Sequence, residues 1–365
     1  MIRPRRILLY RLGSMGDTLV ALPCIHSLRR WFPEAHITWL TNLPVNIKAR
    51  AGTDLLAGTG LVDEYLSYPT GLRGPRELWA LGCQLAAGRY DLVIDLAAAR
   101  GLAKTVRDAA FFKACGFMRV VGLPWSKRDL HCLPDPSRPG LYEAESARLA
   151  RRLAPLGAID LADRSLWSLD LRPDELAAAR RRLAEAGVGG RTIVASVGTK
   201  ADAKDWTQAN WIALLEKLGA THPDLGLVML GAPDEHERSR ICLDVWPGPK
   251  ANLAGSLTVR ESAAILQGAE LFLGHDSGPM HLAAAVNTRC LAIFSAQNRP
   301  GHWYPAGPGH HVFYHQTECF GCGLANCVEH NKKCILAIKP AEVWSVACSF
   351  LQSPSGPKVP MATNG

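Results

Sequence analysis

The sequence has no long hydrophobic run, and this absence argues against a membrane-spanning helix. None of the apolar stretches in its 365 residues is long enough to cross a bilayer. Residues 1–23 resemble a secretory signal in being basic and then apolar, but Arg11 and Asp17 interrupt the apolar part. The segment RILLYRLG is therefore better explained as a first β-strand, and we expect a cytoplasmic protein.

Acidic residues are in the minority, and motifs typical of nucleic-acid-binding proteins are absent. The chain has 41 Lys and Arg against 33 Asp and Glu, a net charge of +8. This balance favours phosphate-bearing ligands or an anionic membrane surface, although an ordinary solvated surface explains it too. We expect no nucleic-acid partner. The basic start MIRPRR suggests peripheral contact with an anionic inner membrane.

The length suits two domains, and 48% apolar residues suffice for two cores. Strand-like segments alternate with helical patterns, which predicts α/β domains with parallel sheets. The predicted strands are 6–10, 36–40, 90–96, 119–123, 192–198, 225–231, 271–274 and 289–295. We expect an N-terminal domain at 1–165, a C-terminal domain at 166–340, a last helix at 341–352 and a disordered tail at 353–365.

Ligands of open parallel sheets bind beyond the carboxyl ends of the strands. The stretch LFLGHDSGPMHLAAA (271–285) is such an end, because an apolar strand stops and polar residues lead directly into a helix. Gly278 permits close approach of a ligand, Pro279 suits the first helical turn, and Ser277 and His281 can donate to an anion. Asp276 suits a cap or a neighbouring cation better than a bare phosphate. A plain capped helix and an anion site explain this stretch equally well.

The stretch RLGSMGDTLVALP (11–23) has the same order of strand, turn and helix. Gly13, Ser14 and Gly16 build a tight loop, and Asp17 falls at the start of the helix. An acid at a helix N-terminus is usually a cap. An ionised carboxylate that opens into a cleft also meets the requirement for a general base.

Two more strand ends carry charged residues. Lys200 and Lys204 follow one strand, and solvated loop lysines explain at least one of them; the alternative is a cation that stabilises a phosphate leaving group. Gly231 and Glu235 follow another strand, where a carboxylate can accept hydrogen bonds from ribose hydroxyls or can cap a helix.

Together these motifs resemble the heptosyltransferases of glycosyltransferase family 9. The resemblance rests on RLGSMGDTLVALP, on KDW at 204–206 and above all on LGHDSGPMHLAAA, in matching order over about residues 5–345. It implies a GT-B fold, in which two Rossmann-like domains face each other across a cleft and a C-terminal helix crosses back to the N-domain. It also implies inverting transfer from ADP-heptose to a lipopolysaccharide core acceptor, Kdo-lipid A or heptosyl inner core, without a catalytic metal.

The resemblance also implies roles for individual residues. Asp17 corresponds to the general base and Lys204 to the cation on the donor diphosphate. Glu235 is the best match for the ribose-binding acid, with Asp234 as the alternative. The implied donor site comprises Ser196, Lys200, Gly231, Glu235, Asp276, Ser277, Gly278, Met280 and His281.

The implied acceptor site is defined more loosely. Ser14 and Gly16 belong to it by position, and Arg100, Lys104 and Arg107 follow the strand at 90–96. Their cations suit an acidic sugar carboxylate or a lipid phosphate. A basic solvent-exposed face explains the same residues equally well.

Four of the eleven cysteines form a cluster, Cys319, Cys322, Cys327 and Cys334. Four thiolates make a structural zinc site one interpretation, with His330 as a substitute ligand, but only the C-x2-C pair has a common zinc spacing. An iron–sulfur cluster fits the spacing less well, and disulfides would need an oxidising compartment. Any such role is structural, since we expect catalysis to need no cofactor.

Two other functions fit the same fold. A sugar-nucleotide epimerase would need an added acid and base in the nucleotide cleft, and Asp17 would have no purpose in it. A sugar-nucleotide or lipid A binding protein without catalysis would show no transfer at all.

Overall fold

A computed structural model describes residues 4–43, 52–72 and 74–352. The chain divides into two compact units, Met1–Asp170 with Pro300–Trp303, and Leu171–Arg299 with Tyr304–Gly365. The tail at 353–365, which we expected to be disordered, lies outside the described residues. No described helix combines the length and the apolar character needed to span a membrane.

The first unit is an α/β unit built on a parallel sheet. Its elements are β1 Arg6–Tyr10, α1 Met15–Trp31, β2 His36–Leu43, α2 Thr53–Leu56, β3 Glu64–Pro69, α3 Pro75–Ala87, β4 Leu92–Asp95, α4 Leu102–Ala114, β5 Val120–Val121, α5 Lys127–Leu130 and α6 Glu145–Arg152. Over the described residues the sheet has the order β3-β2-β1-β4-β5, and every pairing is parallel.

Helices cover this sheet because the strands are apolar on both faces. Helices α3 and α4 bury Leu81, Leu85 and Phe112 in one cluster with Leu8 and Val93 of the central strands. Helix α1 packs with α6 and with the short 3-10 helix Arg164–Trp167. The central strands β1 and β4 are therefore enclosed, and the sheet's carboxyl edge remains for polar residues.

The second unit repeats this architecture. Its elements are α7 Pro173–Glu185, β6 Thr192–Ser196, α8 Gln208–Thr221, β7 Gly226–Met229, α9 His236–Asp244, β8 Lys250–Asn252, α10 Val259–Gly268, β9 Leu271–His275, α11 Gly278–Ala285, β10 Cys290–Phe294, β11 His311–Tyr314, α12 Lys333–Leu336 and α13 Pro340–Gln352. The described residues form a parallel sheet in the order β11-β10-β9-β6-β7-β8. Short 3-10 helices lie at Asp202–Lys204 and Pro233–Glu235.

The last helix, α13, belongs to the second unit by its buried face. Val343, Ala347 and Leu351 join the core beside Trp211 and Leu215 of α8. The crossing of this helix to the N-domain, which the resemblance implies, stays a prediction.

All eight predicted strands are present, with shorter bounds at several ends. Three strands were not predicted, namely β3, β8 and β11. They are short or partly exposed, so their apolar residues do not form a run that stands out in the sequence.

Candidate functional site

The expected donor residues follow three strands that are neighbours in the second sheet. Strand β6 lies between β7 and β9, and all three run in the same direction. Their carboxyl ends therefore lie side by side, which brings the segments after Ser196, Met229 and His275 to one edge. Ser196 itself is buried and pairs in register with Gly274.

Lys204 and Asp276 form an ion pair at this edge. Lys204 Nζ lies 2.6 Å from Asp276 Oδ2 and 3.3 Å from the Asp276 carbonyl oxygen. Asn298 Nδ2 donates to the same carboxylate oxygen at 3.4 Å. The neighbouring Asp205 is held by Arg238 at 2.6 Å. An ammonium group has three protons, and these contacts engage two of those of Lys204.

The turn that leads into α11 is not a plain side-chain cap. Ser277 is the N-cap residue, but its hydroxyl donates to the His275 carbonyl at 3.3 Å and makes no capping bond. Asp276 meets the cation Lys204, the second alternative that its position left open. The helix starts at Gly278 and Pro279, so its dipole and first amide groups favour an anion. Met280 and His281 are buried.

Glu235 lies between two glycines at the ends of β6 and β7. A Cβ at Gly198 would overlap the carboxyl group of Glu235, and a Cβ at Gly231 would lie 2.5 Å from its Oε2. Burial raises the pKa of Glu235, against the Ala232 amide that donates to Oε2 at 2.8 Å and the positive charge of Lys200. One carboxylate oxygen of Glu235 thus caps the turn, and the carboxyl group lies beside the glycine-lined edge; its binding to a ribose stays a prediction.

Asp17, in the first unit, is held as an N-terminal cap of α1. Its Oδ2 accepts from the Ser14 amide at 2.7 Å and from the Ser14 hydroxyl at 3.0 Å. Its Oδ1 lies 3.7 Å from Arg11 Nη2, and the side chain is 25% exposed. Gly13 has a φ of +121°, and a Cβ there would collide with Asp17. Gly16 is buried in the first turn of α1.

The expected acceptor residues form a charged group at the start of α4. Arg100 Nη2 lies 2.5 Å from Asp108 Oδ2, and Arg107 Nη2 lies 2.6 Å from Asp108 Oδ1. Arg100 also donates to the Tyr10 hydroxyl at 3.4 Å. The two arginines therefore share one carboxylate, which leaves an excess of positive charge beside Lys104.

A small pocket opens at the same place, and it includes Asp95, a residue to which the sequence reasoning gave no role. The pocket is lined by Asp95, Ala97, Ala98, Arg100, Lys104, Thr105, Asp108 and Pro124. Burial raises the pKa of Asp95 to about 6, although Arg152 lies 3.2 Å away and opposes this. Its position as the last residue of a buried strand was the only signal in the sequence.

Cys132, Glu145 and His302 form the one described group of three residues whose ligand atoms lie within 4.8 Å of one another. Arg148 occupies both Glu145 carboxylate oxygens, at 2.8 and 2.5 Å. Burial opposes the charge, but the hydrogen bonds from Arg148 and His302 hold the pKa of Glu145 far below its usual range. This is a buried ion-pair network rather than a cation site.

The four clustered cysteines do not form a comparable ligand set among the residues that the structure describes. Cys322 is exposed and Cys334 is buried. The Cys334 sulfur accepts from the Ala296 amide at 3.3 Å, and Cys319 lies 3.4 Å from the Thr317 hydroxyl. Cys327 is half-buried. Zinc binding by these residues stays a prediction.

The sequence matches one protein family and several curated proteins. A family model described as glycosyltransferase family 9 (heptosyltransferase) matches residues 78–333. A protein of Escherichia coli named lipopolysaccharide heptosyltransferase 3 is 28% identical over 286 residues, which cover 77% of this chain and 81% of that protein.

Solved structures match over almost the whole chain. The glycosyltransferase family 9 protein of Veillonella parvula aligns with a TM-score of 0.73 at 17% identity, over 95% of this chain and 97% of that one. The E. coli ADP-heptose LPS heptosyltransferase II aligns with a TM-score of 0.65 at 17% identity, over 95% and 98%. At this identity the likeness concerns the fold, and it confirms the predicted GT-B class with two Rossmann-like α/β domains.

Proposed function

Because this chain belongs to glycosyltransferase family 9, we propose that it transfers a heptose from ADP-heptose to a lipopolysaccharide core acceptor, with inversion. The acceptor is Kdo-lipid A or the heptosyl inner core. Two observations support this choice of substrates. The similar E. coli protein is named as a lipopolysaccharide heptosyltransferase, and the similar structure is named for ADP-heptose.

One observation supports the donor site more than any other: Lys204 and Asp276 meet at 2.6 Å beside the start of α11. The remaining proton of Lys204 and the first amide groups of α11 offer donors to a diphosphate. Both stabilise the negative charge that develops on the leaving ADP, so no step needs a catalytic metal. Glu235 accepts from the ribose hydroxyls through its second carboxylate oxygen.

Asp17 acts as the general base in this proposal. Its Oδ1 takes the proton from the acceptor hydroxyl, the hydroxyl oxygen attacks the anomeric carbon, and the bond from that carbon to the diphosphate oxygen breaks. Ser14 supports this role because its two donors orient the carboxylate through Oδ2 and leave Oδ1 directed elsewhere.

The acceptor's acidic groups bind at the pocket beside α4. Arg100, Lys104 and Arg107 supply three cations against the single carboxylate of Asp108. Planar guanidinium groups suit carboxylates and phosphates, the anionic groups of such an acceptor.

An anionic membrane surface is the proposed partner of the same region. Leu102, Val106 and Trp125 are each more than half exposed, and Lys127 and Arg128 are exposed beside Trp125. The pocket links these parts, since residues from α4 and Pro124 line it together. Exposed apolar side chains among cations are typical of surfaces that rest on anionic lipid.

A thermal-shift titration with ADP, UDP and GDP tests the donor assignment. We expect ADP to raise the Tm of the wild type, and E235Q to reduce this shift while keeping the Tm of the free protein. The exposed E237Q variant, two positions further along the chain, is the matched control. Stabilisation by UDP without any by ADP would contradict the choice of donor.

A further inference from the structure

His275 is a buried histidine that no role described so far includes. It is the last residue of β9, directly before Asp276, and its side chain has no exposed surface. Its Nε2 accepts from the Trp206 amide at 3.1 Å and from the Trp211 indole at 3.3 Å, and its Nδ1 donates to the Gly198 carbonyl at 3.2 Å. Every ring nitrogen thus has a partner.

These contacts define one tautomer of the neutral ring. Two N–H donors face Nε2, so Nε2 carries no proton, and the single proton sits on Nδ1. Burial lowers the pKa of His275, as do the charges of Arg238 and Lys204, against the opposing carboxylate of Asp205. The ring therefore holds the same hydrogen-bond pattern across the neutral pH range.

The two backbone groups that contact His275 belong to the first and last residues of one segment. Gly198 and Trp206 are the ends of the segment 198–206, which carries both Lys200 and Lys204. Inside it, the Ala203 amide donates to the Ala325 carbonyl at 3.0 Å. The Trp206 indole is anchored to the Ile338 carbonyl at 2.8 Å. One imidazole thus connects the start and the end of the lysine-bearing segment to the strand that supplies Asp276.

We propose that His275 is a positioning residue of the donor site, which holds the segment 198–206 so that Lys204 reaches Asp276 and the donor diphosphate. The hold of His275 on the segment 198–206 does not depend on the proposed function. The contact of Lys204 with a donor diphosphate rests on that function. A small displacement of Lys204 would weaken every interaction that it makes with a phosphate.

Hydrogen exchange measured by mass spectrometry tests the hold on this segment without any substrate. In H275F the aromatic contact with Trp211 can remain while both backbone contacts are lost. We expect exchange in 199–206 to rise roughly tenfold, since two buried backbone groups lose their partner. The W246F variant is the control, because it removes one buried indole bond, to the Leu225 carbonyl, in the same core.

Steady-state kinetics tests the contact with the donor. We expect H275F to raise the KM for the nucleotide sugar roughly tenfold, with the acceptor KM unchanged. W246F should lower the Tm by a similar amount and leave both KM values unchanged. Unchanged exchange in 199–206 together with an unchanged donor KM in H275F would overturn the proposal.

Two conservative variants keep the proposal testable if H275F does not fold. The Gln side chain of H275Q places an oxygen near the position of Nε2 and can accept from Trp206. The Asn side chain of H275N places its nitrogen near Nδ1 and reaches only Gly198. We expect H275Q to retain most of the donor affinity and H275N to lose it; equal donor affinities would contradict the assignment. If the wild type shows no transfer but hydrogen exchange in H275F rises as expected, the proposed function is rejected and the positioning role of His275 stands.

Discussion

Charged residues that are largely buried form ion pairs in both units of this chain. Glu145 is 3% exposed and is held by Arg148 and His302 within the first unit. Lys204 and Asp276 form a similar pair at the carboxyl edge of the second sheet. The sequence places Lys204 and Asp276 at strand ends of one sheet and leaves a neighbouring cation as one alternative for Asp276, but it does not predict their pairing. Sequence reasoning missed Glu145 and His275, because their partners come from distant parts of the chain and no local pattern announces them.

Replacing Glu145 by Gln should destabilise the first unit by about 3 kcal/mol, because Arg148 would remain buried without its counter-charge. Chemical denaturation at pH 7, followed by tryptophan fluorescence, measures the difference. The control is E237Q, which removes an exposed ion pair with Arg240 and should leave the stability unchanged. Equal losses of stability in E145Q and E237Q would show that the buried Glu145 network contributes no more than an exposed ion pair.

The stability difference between the wild type and E145Q should depend on pH, and the pKa of Glu145 determines the direction of this dependence. The pKa of Glu145 in the folded protein lies below its ordinary value of 4.5. Its contribution is therefore fully present above about pH 4.5 and is lost as the pH falls towards the folded-state pKa. We expect the stability difference between wild type and E145Q to narrow below pH 4.5. A difference that grows on acidification would contradict the ion-pair account.

At the scale of secondary-structure elements, the alternation of strands and helices was predictable from apolar runs and helical spacing. Helix α7 follows its sequence signals closely, with Pro173 at its start and a positive φ at Gly187 after its end. The short strands β8 and β11 were not predicted, because three or four residues are too few to stand out as an apolar or alternating run. The proposed donor-binding groups lie in the turns after the strands, where close packing leaves no room for a Cβ at Gly198 and Gly231.

Gly198→Ala tests this packing at the end of β6. The added Cβ would overlap the carboxyl group of Glu235, so we expect a loss of about 1–3 kcal/mol in stability together with weaker ADP binding by calorimetry. Gly268→Ala, at the end of α10, is the matched control, because a Cβ there meets no atom within 4 Å. That control should be neutral or stabilise by about 0.4–1 kcal/mol.

At the scale of the whole molecule, each unit has a buried parallel sheet with polar residues at the carboxyl ends of its strands. The surface of the first unit also exposes large apolar side chains. Six large apolar side chains are exposed there among the described residues, namely Leu78, Trp79, Leu102, Val106, Met118 and Trp125. The basic composition predicted an anionic partner, but only the structure shows that cations and apolar side chains occur together near the pocket.

Vesicle co-sedimentation tests whether this surface binds membranes. We expect the wild type to bind vesicles that contain phosphatidylglycerol, and to bind them less at high salt. The triple variant L102S/V106S/W125S should lose roughly tenfold in affinity. V328S, which changes an apolar residue of the second unit that is still more exposed, is the control. Binding that ignores the triple variant would exclude this surface.

The most direct test of the proposed transfer compares the wild type with D17N. The measurement is acceptor-dependent release of ADP from ADP-heptose, with Kdo-lipid A and heptosylated core as acceptors. The wild type should release ADP, and D17N should lose at least about a hundredfold in kcat while its ADP affinity stays the same. Equal rates for the two proteins, or no acceptor-dependent release by the wild type, would contradict the account.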